Sequence, residues 1–129
     1  CIPKGDIKPH SSQGTCPDEW IFYRKKCYFF SKEEKDWNSS RHICLTQHAA
    51  LTGIDDQIEM VFLLKHKCTG DHWIGLEIKS TTEKETWYYV SGNEGCGYLH
   101  ENGVATARCY TERKWICEKN VHCITISDV

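Results

Sequence analysis

Cysteine limits this chain more than any other residue. Nine of its 129 residues are cysteine: Cys1, Cys16, Cys27, Cys44, Cys68, Cys96, Cys109, Cys117 and Cys123. A reducing compartment would hold so many thiols mainly as metal ligands, and zinc sites bring cysteines together as C-x-x-C pairs. The sequence has no such pair. Widely spaced cysteines in a short chain are instead the mark of disulfides formed in an oxidising compartment. Nine is odd, so at least one cysteine is left for a free thiol or an interchain bond.

The length fits one domain with a real core. Charged residues at 26% and hydrophobic residues at 40% describe a globular chain. With 16 basic and 18 acidic residues, the net charge of -2 gives no electrostatic case for nucleic acid. The longest aliphatic-aromatic run, Met60 to Leu64, is far below a membrane span. The chain is therefore expected to be secreted, or to be the outer part of a membrane protein whose anchor lies outside it. Asn38-Ser39-Ser40 is a glycosylation sequon, in keeping with that setting.

Residues 1–15 hold prolines, glycines and serines and few large apolar groups, and read as a stalk or linker. WIFY and CYFF, separated by Arg24-Lys25-Lys26, predict two short strands. A helix is expected from Glu33 or Glu34 to His48, with Ser31 and Glu34 as a capping box. Asp56 with Glu59 suits the start of a second helix, with Asp55 as the other candidate cap. Beyond Cys68, HWIGLEI, TWYYV and KWICEK predict strands, and Asn102-Gly103 marks a tight turn between two more. Strands, two helices, then strands is an α+β order.

Taken in sequence, CPDEW…KKCYFF, a helix carrying Cys44, HWIGLEI, GCGYL and ARCYTERKWICEK resemble the C-type lectin-like domain, over about residues 16–119. Within that family the chain looks closest to the activation-induced lectins of C-type lectin domain family 2, which are type II leukocyte membrane proteins. YFFSKEEKDWNSS, TQHAALT, DHWIGL and ATARCYTERKWIC carry that likeness. The resemblance implies two helices with antiparallel sheets and a C-terminal tail, residues 120–129, that has no counterpart. It implies three intrachain disulfides: Cys16 with Cys27, Cys44 with Cys117, and Cys96 with Cys109. Cys1, Cys68 and Cys123 are then interchain or unassigned, and Cys1 with Cys123 is one possible pair. The stretch Lys79 to Gly95 is short for the family's long loop, so that loop is shortened or incomplete here.

Sugar-binding members of the family carry Glu-Pro-Asn or Gln-Pro-Asp in that loop and Trp-Asn-Asp before the last strand. Here the prolines are Pro3, Pro9 and Pro17, and the second position reads Glu112-Arg113-Lys114. Calcium takes six to eight oxygens, and two cations oppose it. No calcium and no other cofactor is expected.

The resemblance implies instead a protein ligand for a killer-cell lectin-like receptor, with subfamily F suspected. It would act as a homodimer and modulate natural killer cell responses. Tyr98, Arg108, Tyr110, Glu112, Arg113 and Lys114 are the expected receptor contacts, tyrosine and arginine being frequent interface anchors. The plainer reading of Glu112 to Lys114 is a solvated turn. Trp73, Trp87 and Trp115 read as core. His66-x-Cys68-x-x-x-His72 has ligand-type residues, but as a histidine pair beside a cysteine it reads better as surface. Catalysis is not expected: the leftover cysteines sit at ends or in a connection, and no Ser-His-Asp pattern stands out. The rival classes are a secreted or membrane lectin that binds glycans and a purely structural homodimer.

Overall fold

Three doublets of bulky residues, Cys27-Tyr28, Trp73-Ile74 and Trp115-Ile116, each put one member on either face of a strand. In the computed structural model, which describes residues 16–78 and 86–121, both members of each doublet are buried. One set, Cys27, Trp73 and Trp115, packs with Trp37 and Cys44. The other set, Tyr28, Ile74 and Ile116, packs with Phe62 and Leu63. A sheet apolar on both faces needs a cover on each, and the two helices supply it.

The elements run β1 (Ile21–Tyr23), β2 (Lys26–Phe30), α1 (Trp37–Thr46), β3 (Ala50–Leu51), α2 (Gln57–His66), β4 (His72–Ile78), β5 (Val90–Ser91), β6 (Gly95–Leu99), β7 (Val104–Ala107) and β8 (Lys114–Asn120). Helix α1 contributes Trp37 and Cys44 to the first core, and α2 contributes Phe62 and Leu63 to the second. The strand order is β1-β2-β8-β4-β6-β7-β5, with β3 also on β8. The sheet is mixed, not purely antiparallel: β4 runs parallel to β8 and β5 parallel to β7. Parallel neighbours need long connections, and here β4 and β8 are separated by β5, β6 and β7.

Glycine in WIGL has a steric reason. A Cβ on Gly75 would lie 2.6 Å from the Leu51 carbonyl oxygen, because the Gly75 amide donates to Thr52 O at 2.7 Å. Between described residues, three disulfides join Cys16 to Cys27, Cys44 to Cys117 and Cys96 to Cys109. The second ties α1 to the central strand β8.

Helix α1 begins later than expected. Asp36 caps it, accepting the Ser39 amide at 2.7 Å. Ser31 is not a cap: its hydroxyl donates to Glu33 O and accepts from the Trp115 amide. Helix α2 matches its cap: Asp56 accepts the Glu59 amide, and Glu59 Oε1 accepts the Asp55 amide at 2.7 Å. TWYYV is mostly not strand, since only Val90 pairs, as part of β5. Among the described residues no helix is long and apolar enough to cross a membrane. The expected stalk, the residues after Val121, Cys1 and Cys123, and residues 79–85 of the long-loop stretch lie outside the described residues.

Candidate recognition face

The expected contact residues come from three adjoining pieces: strand β6, the turn after β7 and the start of β8. The Cys96–Cys109 bond pins the turn to β6. Thr111 tightens it, its amide and hydroxyl both donating to Arg108 O, at 3.2 and 2.8 Å. Arg108 Nη1 donates to the Tyr110 hydroxyl at 2.9 Å, and Tyr110 is 68% exposed. Glu112 is exposed beside it.

Arg113 behaves differently. Its backbone exchanges two 3.0 Å hydrogen bonds with Lys35. Its guanidinium carbon lies 4.3 Å from the Tyr98 ring centre and 4.8 Å from that of Trp73. Tyr98 and Trp73 meet edge to face at 6.1 Å. One terminal nitrogen bonds the Thr111 hydroxyl, and Nε is 3.7 Å from Asp71 Oδ2. The weakly hydrated, planar cation thus stacks on two rings and holds the turn against β4 and β6. Lys114 reaches across to Thr69 O at 2.9 Å. So Arg108, Tyr110 and Glu112 stand exposed on the turn, Arg113 braces that turn against the half-buried Tyr98, and Lys114 follows at the start of β8.

This donor set does not suit a calcium ion. A guanidinium and an ammonium offer only N–H groups. Among the described residues no group of three or more histidines, cysteines or carboxylates is placed to hold a metal. Within His66-x-Cys68-x-x-x-His72, His66 Nδ1 is 3.0 Å from Phe62 O, Cys68 is disulfide-bonded and His72 is fully buried. Asn38 is exposed on the first turn of α1, and the sequon's Ser40 hydroxyl donates to Asp36 O.

Two features depart from the sequence reading, which took Trp87 as core and did not single out the second. Trp87 is not core. It is 51% exposed, its indole N–H donating to Ile54 O, and Tyr89 is 84% exposed. Trp73 and Trp115 are core, as expected.

The second feature is a charged cluster at the start of α2. Glu59 is buried and accepts from the Tyr28 hydroxyl at 2.5 Å. Lys26 Nζ lies 3.2 Å from Asp55, 3.3 Å from Glu118 and 3.6 Å from Glu59. Burial disfavours the Lys26 charge, but Glu118, Asp55 and Glu59 outweigh it and raise its pKa. Burial raises the Glu118 pKa, only partly countered by Lys26 and Thr52. The signal was there: Asp55, Asp56 and Glu59 make up one turn's length of acids beside a strand bearing a lysine.

The comparisons with known proteins agree with this architecture. The Lectin C-type domain model matches residues 33–119. Human C-type lectin domain family 2 member B is 52% identical over 120 residues, covering 86% of this chain and 80% of the relative. Human family 2 member D is 40% identical over 119 residues, covering 84% of this chain but only 61% of the relative, so the chain spans less than two thirds of that protein's length. Among solved structures, the carbohydrate-recognition domain of cow CD23, crystallised in the presence of an oligosaccharide, superposes with a TM-score of 0.74 at 29% identity, covering 85% of this chain and 99% of that one. By fold, disulfide pattern and sequence, the chain belongs to the C-type lectin domain family, in its family 2 group.

Proposed function

We propose that this chain is the extracellular protein-recognition domain of a type II leukocyte surface protein, a calcium-independent ligand for a killer-cell lectin-like receptor that modulates natural killer cell responses. Subfamily F is the expected receptor group. The family is a non-enzymatic recognition fold. One observation carries the reading: an aromatic and arginine surface is braced by Arg113, whose guanidinium packs against both the Tyr98 and Trp73 rings. Stacking of this kind holds a surface in place before the partner arrives, which lowers the cost of docking.

The chain would work as a homodimer, and dimerisation would raise the avidity of weak contacts between cells. Asn38 is the proposed glycan attachment site, exposed on α1. Nine cysteines cannot all pair within one chain, so a covalent link between two copies is available.

The test is surface plasmon resonance of the domain against killer-cell lectin-like receptor subfamily F ectodomains, with and without EDTA. Binding that survives EDTA, and that Tyr110→Ala weakens at least tenfold, is the expected result; a hot-spot tyrosine is worth about 2 kcal/mol or more. Binding lost in EDTA, or seen only on glycan arrays, overturns it. The glycan reading is the second one because the cow CD23 domain was crystallised with an oligosaccharide. Self-association without any receptor binding would leave the purely structural homodimer.

A further inference from the structure

Positive charge is gathered at one edge of this face. Lys67 caps the C-terminus of α2, and its ammonium donates to Gly70 O at 2.9 Å. Lys114 opens β8 and donates to Thr69 O at 2.9 Å. The two carbonyls belong to adjacent residues, so both ammoniums converge on one exposed turn. Lys65 stands exposed in the last turn of α2. Among the described residues neither Lys67 nor Lys114 has a carboxylate within ion-pair distance. The neighbouring acid, Asp71, faces Arg113. The contrast is Lys26, at the other end of α2, which has three carboxylates within 3.6 Å. Lys67 and Lys114 thus place two ammoniums without an ion-paired carboxylate on one turn, and Lys114 directly follows Arg113, which stacks on Tyr98.

We propose that Lys67 and Lys114, flanked by Lys65, form the electrostatic half of the recognition face and dock a carboxylate-rich strip on the partner protein. The inference rests on the recognition reading above and adds the chemistry of the partner. A compact pair of ammoniums beside aromatic side chains and arginines matches a protein interface, charged at the rim and aromatic toward the centre. Following a phosphate backbone would need a longer basic track. Complementary rim charges act mainly on the association rate.

The test uses two arms, with the wild-type domain and the double variant Lys67→Gln/Lys114→Gln. Glutamine keeps an N–H donor for the Gly70 and Thr69 carbonyls, so the turn is retained while the charge is lost. The first arm is a poly-L-glutamate column at low salt, which needs no receptor. The wild type is retained and the variant flows through; a wild type that flows through overturns the proposal. Retention on heparin but not on poly-glutamate also overturns it, in favour of a sulfated glycan. The second arm measures association with the receptor ectodomain between about 50 and about 300 mM salt, a range over which screening rises steeply. The variant is expected to associate roughly fivefold more slowly at low salt, with a flatter salt dependence and little change in dissociation. An unchanged association rate overturns the proposal while leaving the recognition reading intact. Glutamate retention with no receptor binding supports the acidic docking strip and sinks the choice of receptor.

Discussion

His72 sits first in β4, fully buried, with Nδ1 3.3 Å from Gly70 O, its edge toward Phe30 and no partner for Nε2. Burial lowers its pKa from 6.5 to about 4, helped by Lys67 and Lys114. A histidine with a depressed folded pKa stays neutral in the fold while the unfolded chain takes up a proton. Its contribution is complete above pH 6.5 and is lost as pH falls toward 4. The loss is roughly 3 kcal/mol across that window. Glu118, with its raised pKa, gains as pH falls and so opposes it. The clean measurement is thus a difference: urea midpoints of wild type and His72→Phe at about pH 7.5 and about pH 5. The variant should show the smaller loss, and parallel losses would sink the assignment. Arg113 teaches the companion lesson. Read as part of a charge run it looks solvated, yet it lies two and four positions before Trp115 and Cys117, on the strand face that looks into the core. Period two was the legible signal, and charge obscured it.

The elements that were readable are those whose residues agree at every level. WIFY, CYFF, HWIGLEI, GCGYL and KWICEK alternate or run apolar, and all form strands. The start of α2 was readable because its cap is local, Asp56 to Glu59. The start of α1 was not, because Ser31 is taken by Trp115, a residue far along the chain. TWYYV failed for a related reason. The Thr86 hydroxyl donates to Tyr88 O and the Trp87 indole to Ile54 O, and such side-chain bonds compete with ladder pairing. Long-range constraint also ranks the disulfides. Cys44–Cys117 spans 73 positions and Cys96–Cys109 spans 13. By loop-closure entropy the longer one contributes about 1.5 kcal/mol more. Cys44→Ala/Cys117→Ala should therefore lose more stability in urea denaturation than Cys96→Ala/Cys109→Ala. Equal losses, or the reverse order, would show that native-state strain rather than the unfolded chain sets the effect.

At the scale of the whole molecule the two faces of the sheet do different work. The proposed recognition surface rests on Trp73, in the core under α1, and on Tyr98, packed against that core. Helix α2 covers the opposite core through Phe62 and Leu63, yet its outer side is also apolar: Ile58 is 56% exposed and Val61, one turn on, is 53% exposed. An exposed apolar pair of this kind, here with the exposed Lys65 one turn beyond it, is a surface that a partner can cover. For the homodimer proposed above, the expected cover is α2 of a second copy, an arrangement that would be symmetric and self-complementary. Ile58→Asp/Val61→Asp places two charges on that contact without touching either core. Sedimentation equilibrium under reducing conditions should show a wild-type dimer and a variant monomer, with the circular dichroism of the fold unchanged. A variant that still dimerises would move the interface elsewhere. A wild type that becomes monomeric when reduced would mean that the link between copies is the leftover cysteine alone.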